Sequence, residues 1–173
     1  MNVTNLDDAQ NVGSHLYKAT PKVDPWYVTG FSDGEGCFSV TFTQRAKLKT
    51  GVETRASFSI SQNKRSLSIL KEVRDYFGCG AIRFSKADQT YKYEVRSTQD
   101  LRSKIIPHFE KYPLQTSKRT DFELFREICD AMAASKHLNK ECLKQLIEKA
   151  YTMNEGGTRR YTKESILKVV EMR

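Results

Sequence analysis

Two stretches of this chain alternate between apolar and polar side chains, and that alternation restricts the fold more than any other feature. Phe38, Val40 and Phe42 are interleaved with Ser39, Thr41 and Thr43; further on, Ala56, Phe58 and Ile60 are interleaved with Arg55, Ser57, Ser59 and Ser61. A period of two sends successive side chains to opposite faces, so each run predicts a strand with one dry and one wet face. The break around Thr50 and Gly51 joins them as a hairpin. Two shorter strands are predicted over 81–86 and 91–96.

Helix signals surround the strands. Asp24 followed by Pro25 is a good N-cap with proline at the first helical position, and predicts a short helix ending near Asp33 and Gly34. Asn63 can cap a helix carrying Leu67, Leu70, Val73, Tyr76 and Phe77 on one face, and Gly78 is placed to end it. Ser97 opens a helix through Ile105, Ile106 and Phe109, which Pro107 is expected to kink or interrupt. Three more helices are predicted around Phe125, Leu146 and Val169. The order αββαββα, followed by extra helices, predicts an α+β fold: a four-stranded antiparallel sheet with helices on one face. Residues 1–23 are polar and aperiodic and are expected to form a mobile tail. Residues 24–173 are expected to form one domain with a C-terminal helical extension.

The wet face would carry Ser39, Thr41, Thr43, Arg45, Arg55, Ser57, Ser59, Ser61, Arg83, Ser85, Lys92, Glu94 and Arg96. It is short, polar and cationic. In a chain with 29 Lys+Arg against 21 Asp+Glu and a net charge of +8, such a face predicts a ribbon for the major groove of double-stranded DNA. Arg55, Arg83, Lys92 and Arg96 are expected to read bases, whereas Lys47, Lys49, Arg159 and Arg160, in turn-rich stretches, are expected to meet phosphates. No run approaches the roughly 18 apolar residues that cross a bilayer, so no membrane partner is expected, nor a small-molecule substrate. Cys37, Cys79, Cys129 and Cys142 contain no C-x-x-C pair and are read as reduced; His15, His108 and His137 show no metal-ligand spacing.

Chemistry concentrates in residues 26–38, Trp-Tyr-Val-Thr-Gly-Phe-Ser-Asp-Gly-Glu-Gly-Cys-Phe, a small-residue helix that ends in an acid set between two glycines. Gly30 and Gly34 lie four apart and would let a second helix approach closely, while Gly34 and Gly36 leave the backbone around Glu35 open to a cation or a phosphate. Residues 28–36 resemble the nine positions of the LAGLIDADG motif of homing endonucleases. The resemblance, strongest to the fungal-mitochondrial branch, runs from about Pro25 to Arg160 and includes the Ser61–Lys64 strand exit, the Phe77–Gly80 turn and the stretch from His108 to Leu114.

That resemblance implies the following. Glu35 is the metal-binding acid, and Gly34 supplies a nearby carbonyl. Gln62 orders solvent at the scissile phosphate, and Lys118 is the active-site cation, with Lys64 or Arg65 as alternatives. Asp33 is structural. One motif copy implies a homodimer joined through Trp26, Tyr27, Gly30, Phe31 and Gly34, which brings two Glu35 carboxylates together. It further implies Mg²⁺-dependent hydrolysis of a near-palindromic DNA site across the minor groove, leaving staggered 3′ extensions, in a mitochondrion or another organelle. An RNA-binding intron maturase and a non-cleaving DNA-binding regulator are the alternatives on the same fold.

Overall fold

The structure, a computed structural model, describes residues 23–155 and 157–173. The tail expected over 1–23 lies outside the described residues, apart from Val23, which is buried and so belongs to the fold. The elements run α1 (Pro25–Glu35), β1 (Gly36–Gln44), β2 (Val52–Asn63), α2 (Leu67–Phe77), β3 (Ala81–Ser85), β4 (Thr90–Val95) and α3 (Thr98–Asp100). A π-helical turn (Leu101–Ile105) then leads into α4 (Ile106–Lys111), α5 (Lys118–Ala133), α6 (Lys140–Tyr151) and α7 (Lys163–Glu171). The fold is α+β, with an antiparallel sheet in the order β1-β2-β4-β3.

Local chemistry explains the boundaries. The Asp24 carboxylate accepts from the Trp26 and Tyr27 amides at 2.8 and 3.3 Å, with Pro25 at the first turn, where a missing N–H costs nothing. Gly78 ends α2 in the left-handed region at φ 60°, and Ser97 caps α3 through the Asp100 amide. Pro107 interrupts its α-helix as expected: a wider π turn over Leu101–Ile105, closed by the Ile106 amide on the Leu101 carbonyl, separates α3 from α4, and Pro107 stands in the first turn of α4, where its missing amide donor is tolerated.

Register fixes which side chains share a face. Phe38 pairs with Phe58 and Val40 with Ala56, and on β4 Phe58 faces Val95 and Ile60 faces Tyr93. These residues are buried beneath the helices, where Phe38 packs on Phe109, Phe122 and Phe125 with ring centroids 5.2–5.3 Å apart. The opposite parity joins Ser39 to Ser57, Thr41 to Arg55, Ser61 to Lys92 and Lys92 to Arg83. One face therefore holds the core, and the other is the polar, cationic surface.

Candidate active site and nucleic-acid interface

Helix α1 turns Val28, Thr29 and Ser32 inward. The Thr29 hydroxyl donates to the Tyr112 carbonyl at 2.9 Å and lies 3.1 Å from His108 Nε2, while His108 Nδ1 is 3.0 Å from the Tyr76 hydroxyl. Burial pushes the His108 pKa down to about 4, so this imidazole is neutral at physiological pH and serves as a polar bolt between α1, α2 and α4. Trp26 and Tyr27, 54% and 50% exposed, lie on the outward side with Gly30 and Gly34, and a Cβ added at either glycine would meet nothing within 4 Å. Phe31 is half-buried beside them, stacked on Tyr27 at 6.0 Å.

The end of α1 is gripped by a loop distant in sequence. Asp33 accepts from the Gln115 amide at 2.8 Å, the Thr116 amide at 3.1 Å and the Thr116 hydroxyl at 2.6 Å. Partial burial raises its pKa, but the Thr116 hydroxyl, the two amides and the charge of Lys118 outweigh this and hold the carboxyl below its ordinary value. Thr116 Oγ1 in turn accepts from the Lys118 amide at 3.2 Å, and Lys118 Nζ returns to the Ser32 and Gly34 carbonyls at 3.1 and 3.3 Å. The ammonium thus neutralises the carbonyl end of α1, where the helix dipole is negative.

Glu35 is exposed, and it ends α1 directly before Gly36, whose added Cβ would lie 2.6 Å from the Ser32 carbonyl oxygen. Only glycine fits that turn from helix to strand. Gly36 stands opposite Ile60, two residues before the half-buried Gln62 near the end of β2. Lys118 therefore meets the carbonyl of Gly34, the residue directly before Glu35; among the described residues no hydrogen bond joins Glu35 or Gln62 to Lys118 or to each other. Lys64 and Arg65 stand exposed on the turn after β2.

The sheet face departs from the expected open array in two places. Glu94 and Ser59, which face each other across β2 and β4, are buried. The Glu94 carboxylate is closed over by Arg96 at 2.9 Å, Lys92 at 3.7 Å and Arg83 at 3.9 Å. Glu53, which the sequence reading left out, binds Arg55 at 2.8 Å and Arg45 at 3.2 Å. Those two guanidinium groups hold its carboxyl below the ordinary range. Its position two residues before Arg55 on β2 carried the signal, because that spacing puts both on one face. Thr43, opposite Glu53, and Ser85, opposite Thr90, lie on the same face.

Arg159, expected at phosphates, is engaged within the fold. Its guanidinium donates to the carbonyls of Val40 (3.0 Å), Met153 (3.3 Å) and Ala150, and stacks 4.5 Å over Tyr151. It satisfies a carbonyl of edge strand β1 and so ties this stretch to the sheet. Lys47 and Lys49 are exposed on the β1–β2 turn, and Arg160 is exposed with its guanidinium 5.3 Å over Tyr161.

A helix ending in a glycine-flanked acid leads directly into a four-stranded sheet with one polar, cationic face. The LAGLIDADG endonuclease profile matches residues 28–129, and the chain belongs to that family. It is 32% identical over 178 residues to a probable intron-encoded endonuclease of Neurospora crassa, covering 98% of this chain and 39% of the relative. The homing endonuclease I-TnaI superposes with a TM-score of 0.76 at 37% identity, covering 87% of this chain and 97% of that one. I-SmaMI bound to cleaved DNA superposes with a TM-score of 0.78 at 32% identity, covering 87% of this chain and 49% of that one. The chain spans well under two thirds of the length of the Neurospora relative.

Proposed function

We propose that this protein is a homing endonuclease that binds a long, near-palindromic DNA site and makes a staggered double-strand break by Mg²⁺-dependent phosphodiester hydrolysis. The observation that carries the reading is the contact of Lys118 with the Gly34 carbonyl at the end of the motif helix, directly beside Glu35. Among the described residues no three His, Cys, Asp or Glu side chains gather as a metal site. One carboxylate and one carbonyl per protomer are half a site, and two protomers joined along α1 would bring two acids together. These oxygen donors fit a hard divalent cation, and the Gly34 carbonyl keeps a second lone pair beside its bond from Lys118. I-SmaMI binds an uncleaved DNA target in the presence of calcium ions, which favours a divalent-ion site in this family.

When bound, the cation supplies charge stabilisation at the scissile phosphate and lowers the pKa of coordinated water. Lys118 opposes the negative charge that develops on the phosphoryl oxygens, and Gln62 orders solvent beside it. The groove lies on the polar sheet face: Arg55, Arg83, Lys92 and Arg96 approach base edges, while Lys47, Lys49 and Arg160 meet phosphates. The exposed Trp26, Tyr27, Gly30 and Gly34 edge is the dimer seam, and the length of I-TnaI supports a single-copy protomer. Residues 24–173 act as one domain, and the organelle that makes the protein is a mitochondrion, in keeping with the resemblance to the fungal-mitochondrial branch and with an intron-encoded fungal relative.

The test is to select cut duplexes from a randomised DNA pool with Mg²⁺ and with a chelator. Mg²⁺-dependent enrichment of a near-palindromic site supports the reading. Binding that enriches a site without any cutting would turn it into the non-cleaving regulator, and preferential capture of structured RNA would favour the maturase.

A further inference from the structure

We propose that Glu94 is a positioning residue that aims Arg96 at a guanine, so that the pair, and not Glu94 itself, sets base preference at one step of the target. The proposal rests on the reading of the sheet face as the DNA-binding surface. A carboxylate on such a face is unexpected: it repels phosphates, and as a base reader it would accept from a cytosine amino group. Here both of its oxygens are already engaged. Arg96 Nη2 donates to Oε1 at 3.2 Å and Nε lies 2.9 Å from Oε2, so one edge of the guanidinium lies along the carboxylate. The Glu94 side chain is only 8% exposed, whereas that of Arg96 is 51% exposed.

A guanidinium carries five N–H donors in a planar fork. Contact through the Nε–Nη2 edge leaves the outer Nη1–Nη2 end free, and that end matches the O6 and N7 acceptors of guanine. Holding the plane by one edge fixes the direction of the other and removes rotamer freedom that would be lost on binding. Lys92 and Arg83, at 3.7 and 3.9 Å, are beyond hydrogen-bond distance; they feel the charge but are not aimed by it. Glu53 differs, because it divides its two oxygens between Arg45 and Arg55 and is more exposed, at 29%.

Wild-type protein is first used to enrich sites from a randomised duplex pool. Binding to every single-base variant of the best site is then measured for wild type, Glu94→Gln, Glu94→Asp, Arg96→Ala and the Glu94→Gln/Arg96→Ala double variant at two salt concentrations, with thermal melts to verify folding. Glu94→Gln removes a negative charge from the face, so its affinity for all duplexes should rise and its salt dependence steepen. At one G·C pair its discrimination should nonetheless fall by about 5- to 150-fold, the range for a bidentate arginine–guanine contact. Arg96→Ala should lose discrimination at that same pair, and the double variant should lose no more than Arg96→Ala does. Glu94→Asp keeps the charge but shortens the arm, and should lose discrimination without the gain in affinity. An unchanged Glu94→Gln profile would reduce Glu94 to a neutralising charge, and a profile changed at a different pair from that of Arg96→Ala would make it a direct reader; either result overturns the proposal. If wild type enriches no sequence, the DNA-binding reading falls and this inference with it, whereas specific wild-type binding with an unaltered variant profile sinks the inference alone.

Discussion

Lys118 Nζ lies 3.3 Å from the carbonyl oxygen of Gly34, the residue directly before Glu35, although 84 residues separate the two in the chain. The contact depends on Asp33, which fixes the Gln115 and Thr116 amides and, through the Thr116 hydroxyl, the start of α5. Lys118→Met should lower the cleavage rate by about 10²-fold with little change in DNA affinity, the scale for loss of one donor to developing charge. Asp33→Ala should lower it too, by misplacing Lys118. Single-turnover cleavage beside equilibrium binding measures both; a Lys118→Met variant that cuts at the wild-type rate would pass the active-site role to Lys64 or Arg65.

Glu35→Gln should abolish cutting while leaving specific binding nearly intact. Loss of a metal ligand costs several kcal/mol at the transition state, and about 1.36 kcal/mol is already tenfold in rate. Cleavage within about tenfold of wild type would remove Glu35 from the metal site.

Gly30→Leu tests the dimer seam cleanly, because the space beside Gly30 is open and the protomer can accept a side chain there without strain. The variant should fold and melt like wild type, yet sediment as a monomer and bind the site poorly. A Gly30→Leu protein that remains dimeric would place the interface elsewhere.

Arg159 and Arg160 should part company despite being adjacent. Arg159→Ala leaves carbonyls of Val40, Ala150 and Met153 without their donor, and should destabilise the fold by about 1–3 kcal/mol. Arg160→Ala should leave the melting temperature unchanged and flatten the log–log salt dependence of binding by about 0.9 if one phosphate contact is lost. The opposite pattern in melts and salt titrations would reverse the assignments.

His108 gives the fold a pH dependence of definite sign. Its folded pKa of about 4 lies below the ordinary value of 6.5, so the folded state favours the neutral ring. The stability it contributes is fully present above about pH 6.5 and is lost as the pH falls from there towards 4, on the order of 3 kcal/mol in all. His108→Gln should flatten the melting temperature over that window. Equal acid sensitivity in the variant over that window would remove His108 as its source; Asp33 gives up its own contribution only at lower pH, below the ordinary aspartate value.

The sequence by itself determined the strands, the parity of their faces, the cap at Asp24, the αL glycine at Gly78 and the family motif. Each is written in neighbouring residues, where side-chain period, a missing Cβ or an N-cap oxygen acts over one or two turns of chain. Tertiary structure alone decided how charge is arranged on those faces. The alternation put Glu94 on the polar face, yet only the β2–β4–β3 register surrounds it with Arg83, Lys92 and Arg96 and buries it. The bonds of Arg159 to the fold are not legible in its turn-rich stretch, because nothing local reveals that the edge-strand carbonyl of Val40 needs a donor. The Asp33 clamp on Thr116 likewise joins residues 83 apart. Hydrogen bonds and ion pairs depend on distance and direction in space, and sequence separation encodes neither once the chain has closed on itself.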